Sequence, residues 1–238
     1  MEASTVRAPP RLAAPGLRRL ARDEKLVEAV RVGDQRAFEV VFDRYHRPLL
    51  SFCRHMLGSR EEAEDAVQHT FMAAYRGLGS SDKEILLRPW LYTIARNHCL
   101  SVLRARRQTV PLDGHEAEAP ATEGLASEVQ RREDLRQMLA DLGHLPDDQR
   151  AALVLAELGS LPHDEIAQVV GCPRDKVKAL VFQGRSSLAA SRTARETPCS
   201  DVRGQLSTLT GGALRRSNLR RHVRECAGCR AFELEVRR

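Results

Sequence analysis

Apolar residues recur at helical spacing along most of the chain, and the apolar–polar alternation typical of strands is almost absent. The clearest case is residues 61–78, where apolar positions return every three or four residues along one helix face. That face comprises Ala63, Ala66, Val67, Thr70, Phe71, Ala74 and Leu78. Ser59 and Glu62 form a capping box that predicts the start of this helix, and Gly77 and Gly79 predict its end. The pattern predicts an all-α protein.

The same spacing predicts a compact helical domain over residues 23–108. A short first helix stops at Gly33, and Asp34 caps the next helix, which Pro48 is expected to bend or restart. After the helix of residues 61–78 and a polar loop, a further helix opens with Pro89 and runs into a group of arginines. The helix of residues 61–78 therefore shows an acidic and amide face, made by Asp65 and Gln68, and the helix from Pro89 has a cationic end.

A second helical domain is predicted over residues 128–190. Its first helix has an apolar face made of Val129, Leu135, Met138, Leu139 and Leu142. Pro146 opens the next helix, and a short helix over 164–170 then meets a tight turn at Gly171. Pro173 starts a longer helix, since a missing backbone N–H is harmless in a first turn. This is a helix-turn-helix pattern, whose second helix would present its N-terminal side chains to a DNA major groove.

The segments outside the two domains differ in composition and charge. Residues 109–127 are rich in Pro, Gly, Ala and Glu without apolar periodicity, which predicts a flexible linker. Residues 1–22 hold five Arg against one Glu and three prolines, which predicts a disordered basic arm. Residues 191–238 carry 11 basic against 5 acidic residues. The net charge of +6 permits a polyanionic partner without proving one.

Several classes of protein do not fit the sequence. It has no run of about 18 apolar residues, so no membrane span is expected, and it lacks a hydrophobic signal core, which favours the cytosol. Its histidines are scattered, and no Ser/His/Asp or Gly-rich phosphate-binding arrangement occurs, so we do not expect an enzyme. Cys53 and Cys99 lie on apolar helix faces and are predicted to be core residues, and Cys172 is expected to be structural.

The last segment, residues 191–238, predicts a small zinc module. His222, Cys226 and Cys229 form an H-x3-C-x2-C pattern that places one imidazole and two sulfurs close together, and Cys199 can complete a tetrahedral Cys3His site. About 40 residues bury little apolar surface, so a structural metal would replace a core. The alternative is a redox pair, in which Cys226 and Cys229 form a disulfide on oxidation and release the metal.

The order of these parts resembles the extracytoplasmic-function group of bacterial sigma factors over about residues 23–190. DAVQHTF (65–71) resembles the D-x-x-Q-x-x-F of their polymerase-binding helix, and RPWLYTIARN (88–97) resembles their promoter-melting helix. LPDDQRAALVL (145–155) and the stretch from DEIA to GCP (164–173) resemble their helix-turn-helix domain. The tail resembles the zinc-binding fold of anti-sigma factors, including a helix from Leu206 to Leu214 that carries a Gly211-Gly212 turn.

This resemblance implies specific roles. Asp65, Gln68 and Phe71 would lie at or beneath the surface that docks on the coiled coil of the polymerase β′ subunit, and the second domain would meet the β flap. The loop 79–88 and the helix from Trp90 would capture flipped bases of the −10 element, while cations hold the exposed phosphates. The implied DNA-binding residues are Trp90, Arg96, Asn97, Arg104, Arg106 and Arg107 in the first domain and Arg174, Lys176, Lys178 and Arg185 in the second.

The implied function is a sigma factor that binds core RNA polymerase, recognises −35 and −10 promoter elements and is regulated by its own zinc module. The basic residues Arg215, Arg216, Arg220, Arg221 and Arg224 would touch the acidic linker or DNA. Ala179-Leu180 stands where the family usually has Ser-Arg, so we expect a weak grip on the −35 element that Leu180→Arg would strengthen.

Two other functions fit the same residues. One is a helix-turn-helix repressor or activator that binds duplex DNA without polymerase. The other is an interaction protein whose tail senses metal or redox state. A separate anti-sigma partner is a further possibility that the sequence leaves open.

Overall fold

The computed structural model describes residues 22–79, 84–109, 126–208 and 217–237 of the 238-residue chain. These residues form eleven α-helices and no strand, which confirms the all-α prediction. The helices are α1 (Asp23–Arg31), α2 (Gln35–Leu57), α3 (Arg60–Gly79), α4 (Leu87–Thr109), α5 (Ala126–Gly143), α6 (Asp147–Glu157), α7 (His163–Val170), α8 (Arg174–Glu196), α9 (Cys199–Thr208), α10 (Ser217–Glu225) and α11 (Ala227–Val236).

Some predicted features lie outside the described residues. They are the basic arm before Arg22, the loop tip at 80–83, the linker over 110–125, the Gly211-Gly212 turn, Arg215 and Arg216. Among the helices that are described, none is long and apolar enough to cross a membrane.

The first four helices form the predicted N-terminal domain, and their boundaries follow the capping residues. Asp34 accepts a hydrogen bond from the Arg36 amide at 3.0 Å, and Ser59 accepts one from the Glu62 amide at 3.4 Å. The prediction that Pro48 restarts the second helix is wrong, because α2 runs through it without a break. Leu49, Phe52, Cys53 and Met56 in the following turns are buried, and this packing offsets the hydrogen bond that proline removes.

Helices α5 to α8 form the second group and contain the predicted helix-turn-helix. Gly171, between α7 and α8, has a φ of +74°, a left-handed conformation that glycine adopts without strain. One expectation for α5 is wrong: Leu135 and Met138 are 51% and 50% exposed rather than buried. Among the members of the predicted apolar face whose burial is described, Leu139 is half-buried and Leu142 is buried, since the last turns are the part of α5 that packs. The side chain of Val129 lies outside that description.

The two groups pack against each other, and their buried apolar residues form one connected cluster. Arg150 of α6 is buried at this junction. Its Nη1 donates to Met56 O of α2 at 2.6 Å, and its Nη2 donates to Leu145 O at 3.2 Å and to Gly143 O. Burial lowers the pKa of this guanidinium, and the carbonyl oxygens supply the partners that a buried charge needs. Arg150 therefore joins the second group to the end of α2.

The tail helices α9, α10 and α11 have a small core of their own. Its buried members are Val202, Leu206, Leu219, Val223 and Cys229. Helix α10 lies against α8, so the tail is attached to the second group rather than to the first.

Candidate functional sites

A stripe along α3 carries the predicted polymerase-contacting residues. Asp65 and Gln68 are exposed, whereas Phe71 is buried beneath them with 5% exposure. Sequence reasoning missed Met72 and Tyr75, which continue the same stripe and are 55% and 47% exposed. Both are large apolar side chains at positions outside the buried face of the helix, and this signal could have identified them from the sequence.

Aromatic rings from α2 extend this stripe. The Phe42 ring lies 4.7 Å from the Phe71 ring and is 42% exposed. Phe38 makes edge contacts with both Phe71 and Tyr75, at centroid distances of 6.3 and 5.0 Å. Phe71 thus supports the exposed stripe from below, and the rings of Phe42 and Tyr75 are at its surface.

Trp90, at the start of α4, is half-buried and packs against the end of α3. A Cβ built on Gly77 would lie 2.9 Å from Trp90 Cζ2 and 3.1 Å from Cη2. Gly77 therefore lies inside α3, where it lets the indole approach the helix backbone, and does not end the helix as predicted.

Replacing Gly77 with alanine is expected to displace the Trp90 ring, because its Cβ would overlap the indole. Overpacking of this kind costs about 1–3 kcal/mol, less the roughly 1 kcal/mol gained from helix propensity. Trp90 is the only tryptophan in the chain, so its emission spectrum reports the displacement directly. Gly79→Ala is the matched control, since nothing lies within 4 Å of the position that its Cβ would take. An unchanged emission spectrum in Gly77→Ala would contradict the contact.

Two of the predicted DNA-binding arginines of α4, Arg96 and Arg107, pair with the second group of helices. Arg96 is only 9% exposed, and its Nη2 lies 2.5 Å from Asp148 Oδ1 of α6. Arg107 Nη2 lies 2.8 Å from Asp147 Oδ1 of the same helix. Arg88, which was not named as a site residue, donates to the backbone of the α6–α7 turn.

The remaining members of the α4 set divide into two kinds. Arg106 binds within its own domain: its Nε donates to Glu62 at 3.0 Å and its Nη1 donates to Leu57 O at 2.9 Å. Asn97 and Arg104 are exposed. Asn97 and Arg104 are open to a ligand, and the junction between the two groups covers Arg96. The Arg107 side chain is 63% exposed although it pairs with Asp147.

Helix α8 exposes its N-terminal half. Arg174, Lys176 and Lys178 are exposed, and Arg185, further along, pairs with Glu157 of α6 at 2.8 Å. Phe182 lies on this open side with 71% exposure and was missed by sequence reasoning, although it falls off the apolar face of the helix.

The premise for Leu180→Arg is wrong. Leu180 is 8% exposed and belongs to the connected core, so an arginine there would bury a charge without a partner. The nearby Gly184 also has a packing reason, because a Cβ there would lie 3.3 Å from Leu153 Cδ2. Gly184 therefore lets α8 approach α6 closely, and Leu180 lies in the core.

The four predicted metal ligands come together in the tail. The ligand atoms of Cys199, His222, Cys226 and Cys229 all lie within 4.8 Å of one another. Cys199 Sγ is 3.6 Å from His222 Nε2 and 3.8 Å from Cys226 Sγ. Tetrahedral zinc with Zn–S near 2.3 Å and Zn–N near 2.05 Å requires edges of about 3.6 and about 3.8 Å. These two separations equal the required edges, and all four ligand atoms lie close together, so the donor set fits zinc. All three cysteines of the cluster are free thiols in this structure.

A hydrogen bond from its other ring nitrogen orients His222. His222 is buried, and its Nδ1 donates to Ala194 O at 2.7 Å. A carbonyl oxygen only accepts hydrogen bonds, so Nδ1 carries the proton and Nε2 presents its lone pair to the sulfurs. This is the usual arrangement of a zinc-ligating histidine.

The thiols of this cluster differ in acidity. A hydrogen bond from the Cys229 backbone lowers the pKa of Cys226 to about 7, and the neighbouring Cys199, Cys229 and His222 side chains contribute. Burial raises the pKa of Cys229 to about 11. Cys53 and Cys99 are buried in the main core as predicted, and the Cys99 side chain together with burial raises the pKa of Cys53.

Two family models match the chain. The model for sigma-70 region 2 matches residues 41–109, and the model for sigma-70 region 4 matches residues 135–188. The first covers the helices that carry the α3 stripe and the α4 arginines, and the second covers the helix-turn-helix. Both matches end before the tail.

Curated relatives agree with these matches. The RNA polymerase sigma-H factor of Pseudomonas aeruginosa is 31% identical over 178 residues, which cover 70% of this chain and 91% of that protein. The ECF RNA polymerase sigma-E factor of Escherichia coli is 34% identical over 176 residues, which cover 70% of this chain and 92% of that protein.

Two solved structures share the fold. CnrH, in complex with the cytosolic domain of CnrY, has a TM-score of 0.56 at 26% identity, covering 72% of this chain and 97% of CnrH. The sigma factor RpoE of Bartonella quintana, in complex with the anti-sigma factor NepR, has a TM-score of 0.52 at 27% identity. That match covers 63% of this chain and 93% of RpoE.

Proposed function

The chain belongs to the extracytoplasmic-function (ECF) group of sigma-70 factors, and we propose that α3 docks on core RNA polymerase while α4 and α8 read promoter DNA. It is a polymerase-associated sigma factor: a region 2 followed by a region 4 favours that function over a repressor that binds duplex DNA alone. Sigma factors are non-catalytic initiation factors that act in the cytoplasm, and we place this chain there.

The polymerase contact is proposed on the α3 stripe. Asp65 and Gln68 offer charge and hydrogen bonds, and the exposed side chains of Met72 and Tyr75 lie next to them. Polar groups beside exposed aromatic and methionine side chains are typical of protein interfaces. The docking partner proposed for this surface is the coiled coil of the polymerase β′ subunit, and region 4 is proposed to meet the β flap.

Promoter DNA is proposed to bind α4 and the open half of α8. Exposed Lys176 and Lys178 suit phosphates, and exposed Phe182 suits apolar contact with a thymine methyl group. On α4, the Arg96 and Arg107 guanidinium groups are paired with carboxylates of α6. A single strand can therefore contact Arg96 only if α4 separates from α6, so that phosphates replace the carboxylates at Arg96 and Arg107.

Replacing Asp147 and Asp148 with asparagine is expected to ease this separation. The change removes the carboxylates that face Arg107 and Arg96, and an arginine left without a countercharge weakens the junction. We expect the free protein to bind mixed-sequence single-stranded DNA about tenfold more tightly at low salt, with a steeper salt dependence. Fluorescence anisotropy at several salt concentrations measures both quantities.

A charge-matched control separates this effect from net charge. Glu133→Gln and Glu196→Gln, which remove two carboxylates from exposed i,i+3 and i,i+4 pairs, change the charge of the chain equally. If the control strengthens DNA binding as much as the α6 variant does, the junction is not what limits access to α4.

The tail is proposed to hold one structural zinc ion and to regulate the sigma regions. Cys199, His222, Cys226 and Cys229 supply the four ligands. The observation that supports this is that their ligand atoms lie within 4.8 Å of one another, with the Cys199–His222 and Cys199–Cys226 separations equal to the edges of a zinc tetrahedron. Zinc would supply folding free energy that the small tail core lacks. RpoE is bound by a separate anti-sigma factor, NepR, whereas this chain is proposed to carry a regulatory module of its own.

A reconstituted transcription assay tests the function. Core RNA polymerase is mixed with the purified chain and a library of genomic fragments, and transcript starts are mapped. Discrete starts that require both core enzyme and this chain are expected. Specific binding to duplex fragments, without any transcript from core enzyme, would instead favour the helix-turn-helix regulator.

A further inference from the structure

The tail contacts the C-terminal half of α8 through two neighbouring residues of α10. Arg221 Nη1 donates to Ser187 O at 2.9 Å and to Ser191 Oγ at 2.6 Å, and its Nη2 donates to Ser187 Oγ at 2.8 Å. The next residue is His222, whose Nδ1 donates to Ala194 O at 2.7 Å. One turn of α10 therefore carries a proposed metal ligand and also binds α8. Helix α8 is the second helix of the helix-turn-helix and is called the recognition helix below.

A third contact lies at the end of α8. The Arg195 guanidinium pairs with the buried carboxylate of Asp141 in α5, at 2.7 and 2.9 Å, and its Nη1 lies 3.6 Å from Glu225 of α10. Both carboxylates raise the pKa of Arg195, Asp141 more strongly. The last turn of α8 is thereby connected to α5 on one side and to the tail on the other.

This half of α8 has little apolar anchoring of its own. The large apolar residues that are buried in the helix are Val177, Leu180 and Val181, all in its first half. In the second half the buried residues past Gly184 are Ser191 and Ala194, and Leu188 is only partly buried. Small side chains let α10 approach closely, but they contribute little burial. A helix end with few apolar contacts opens readily, so its order depends on the polar contacts that α10 makes along residues 187–195, together with the Arg195–Asp141 pair at its last turn.

The half of α8 proposed to read DNA lies outside these contacts. Arg174, Lys176, Lys178 and Phe182 are exposed, whereas the tail bonds to residues 187–195. The tail therefore contacts the C-terminal half of α8 and leaves exposed the N-terminal half, which is proposed to read DNA.

On the basis of the zinc site above, we propose that zinc binding orders the C-terminal half of the recognition helix through α10. The metal holds the His222 side chain in place. His222 and its neighbour Arg221 in turn hold the C-terminal half of α8 through their hydrogen bonds, while the DNA-reading half remains accessible. Zinc thus supports region 4 from behind, and its loss loosens the helix that reads the −35 element. This differs from an inhibitory module that would cover the reading surface.

Amide hydrogen exchange on the full-length chain tests the coupling. We expect exchange over residues 186–196 to become at least about tenfold faster when zinc is removed by a chelator. Arg221→Ala is expected to retain one zinc per chain and yet to show the same fast exchange in α8. Arg220→Ala, an exposed neighbour in α10 with the same change of charge, should behave like the unaltered protein.

The outcomes separate this inference from the zinc site itself. A native protein that binds no zinc overturns both. A chain that binds zinc but shows the same exchange over residues 186–196 with and without it overturns only the coupling. Acetylation of Lys176 and Lys178 should proceed equally in the zinc-loaded and zinc-free chains. Protection of these lysines by zinc would mean that the tail covers the reading half, and would also overturn the inference.

Discussion

Replacing Cys226 and Cys229 together with serine is expected to abolish zinc binding and unfold the tail while regions 2 and 4 stay folded. Structural zinc in small modules contributes about 10–16 kcal/mol of apparent binding free energy, far more than the small tail core can supply. Serine is close to cysteine in size but does not offer a thiolate, so the loss is one of ligation. Metal analysis should give one zinc per native chain and none for the variant, with fast amide exchange over residues 199–237.

Cys172→Ser is the control for this experiment. Cys172 is a half-buried thiol in the helix-turn-helix turn, outside the metal cluster, so its replacement should leave one zinc per chain. A double variant whose tail stays protected without metal would show that the helices hold together by themselves, and the proposed zinc site would then be wrong.

Features that depend on neighbours in sequence could be predicted. The capping bonds of Asp34 and Ser59 need residues two and three positions away, and they form as expected. The proposed zinc ligands His222, Cys226 and Cys229 are close in the chain, so their spacing alone predicts that three of the four side chains lie together, as they do in the structure. These features depend on local geometry.

Predictions failed where tertiary packing decides. A helical pattern gives Leu135 an apolar face, but no spacing rule says whether another helix covers it, and it is 51% exposed. Comparison with the family pattern predicted that Leu180 stands in place of a DNA-binding cation, but Leu180 is a buried core residue. Pro48 lies inside a helix because buried side chains on both sides outweigh its local preference.

Charge pairs across the junction were beyond sequence reasoning for the same reason. Arg96 and Asp148 are separated by 52 positions, and nothing in either segment indicates the partner. The arginines of α4 were predicted to bind DNA from the resemblance of residues 88–97 to a promoter-melting helix and from their charge, and that stays a prediction. The structure adds that carboxylates of α6 pair with Arg96 and Arg107, so the proposed DNA contacts of these two arginines would compete with the packing of the two regions.

Replacing Asp65 and Gln68 together with alanine is expected to abolish binding to core RNA polymerase without harming the fold. Both side chains are exposed on α3, so the free energy of unfolding should change by only about 0.5 kcal/mol per site. Hot-spot residues cost about 2 kcal/mol each when truncated, so two of them would cost about 4 kcal/mol, which predicts a loss of affinity of about a thousandfold. Co-purification with core polymerase and titration by anisotropy measure the loss, and thermal unfolding checks the fold.

The matched control removes an exposed pair elsewhere. Arg192 and Glu196 form an i,i+4 ion pair on α8 with both side chains largely exposed, and their replacement with alanine should leave core binding unchanged. Met72→Ala, on the same stripe as Asp65 but without a polar group, should weaken core binding to an intermediate degree if the apolar part of the surface contributes. Normal co-purification of the Asp65/Gln68 variant with core polymerase would contradict the docking surface proposed on α3.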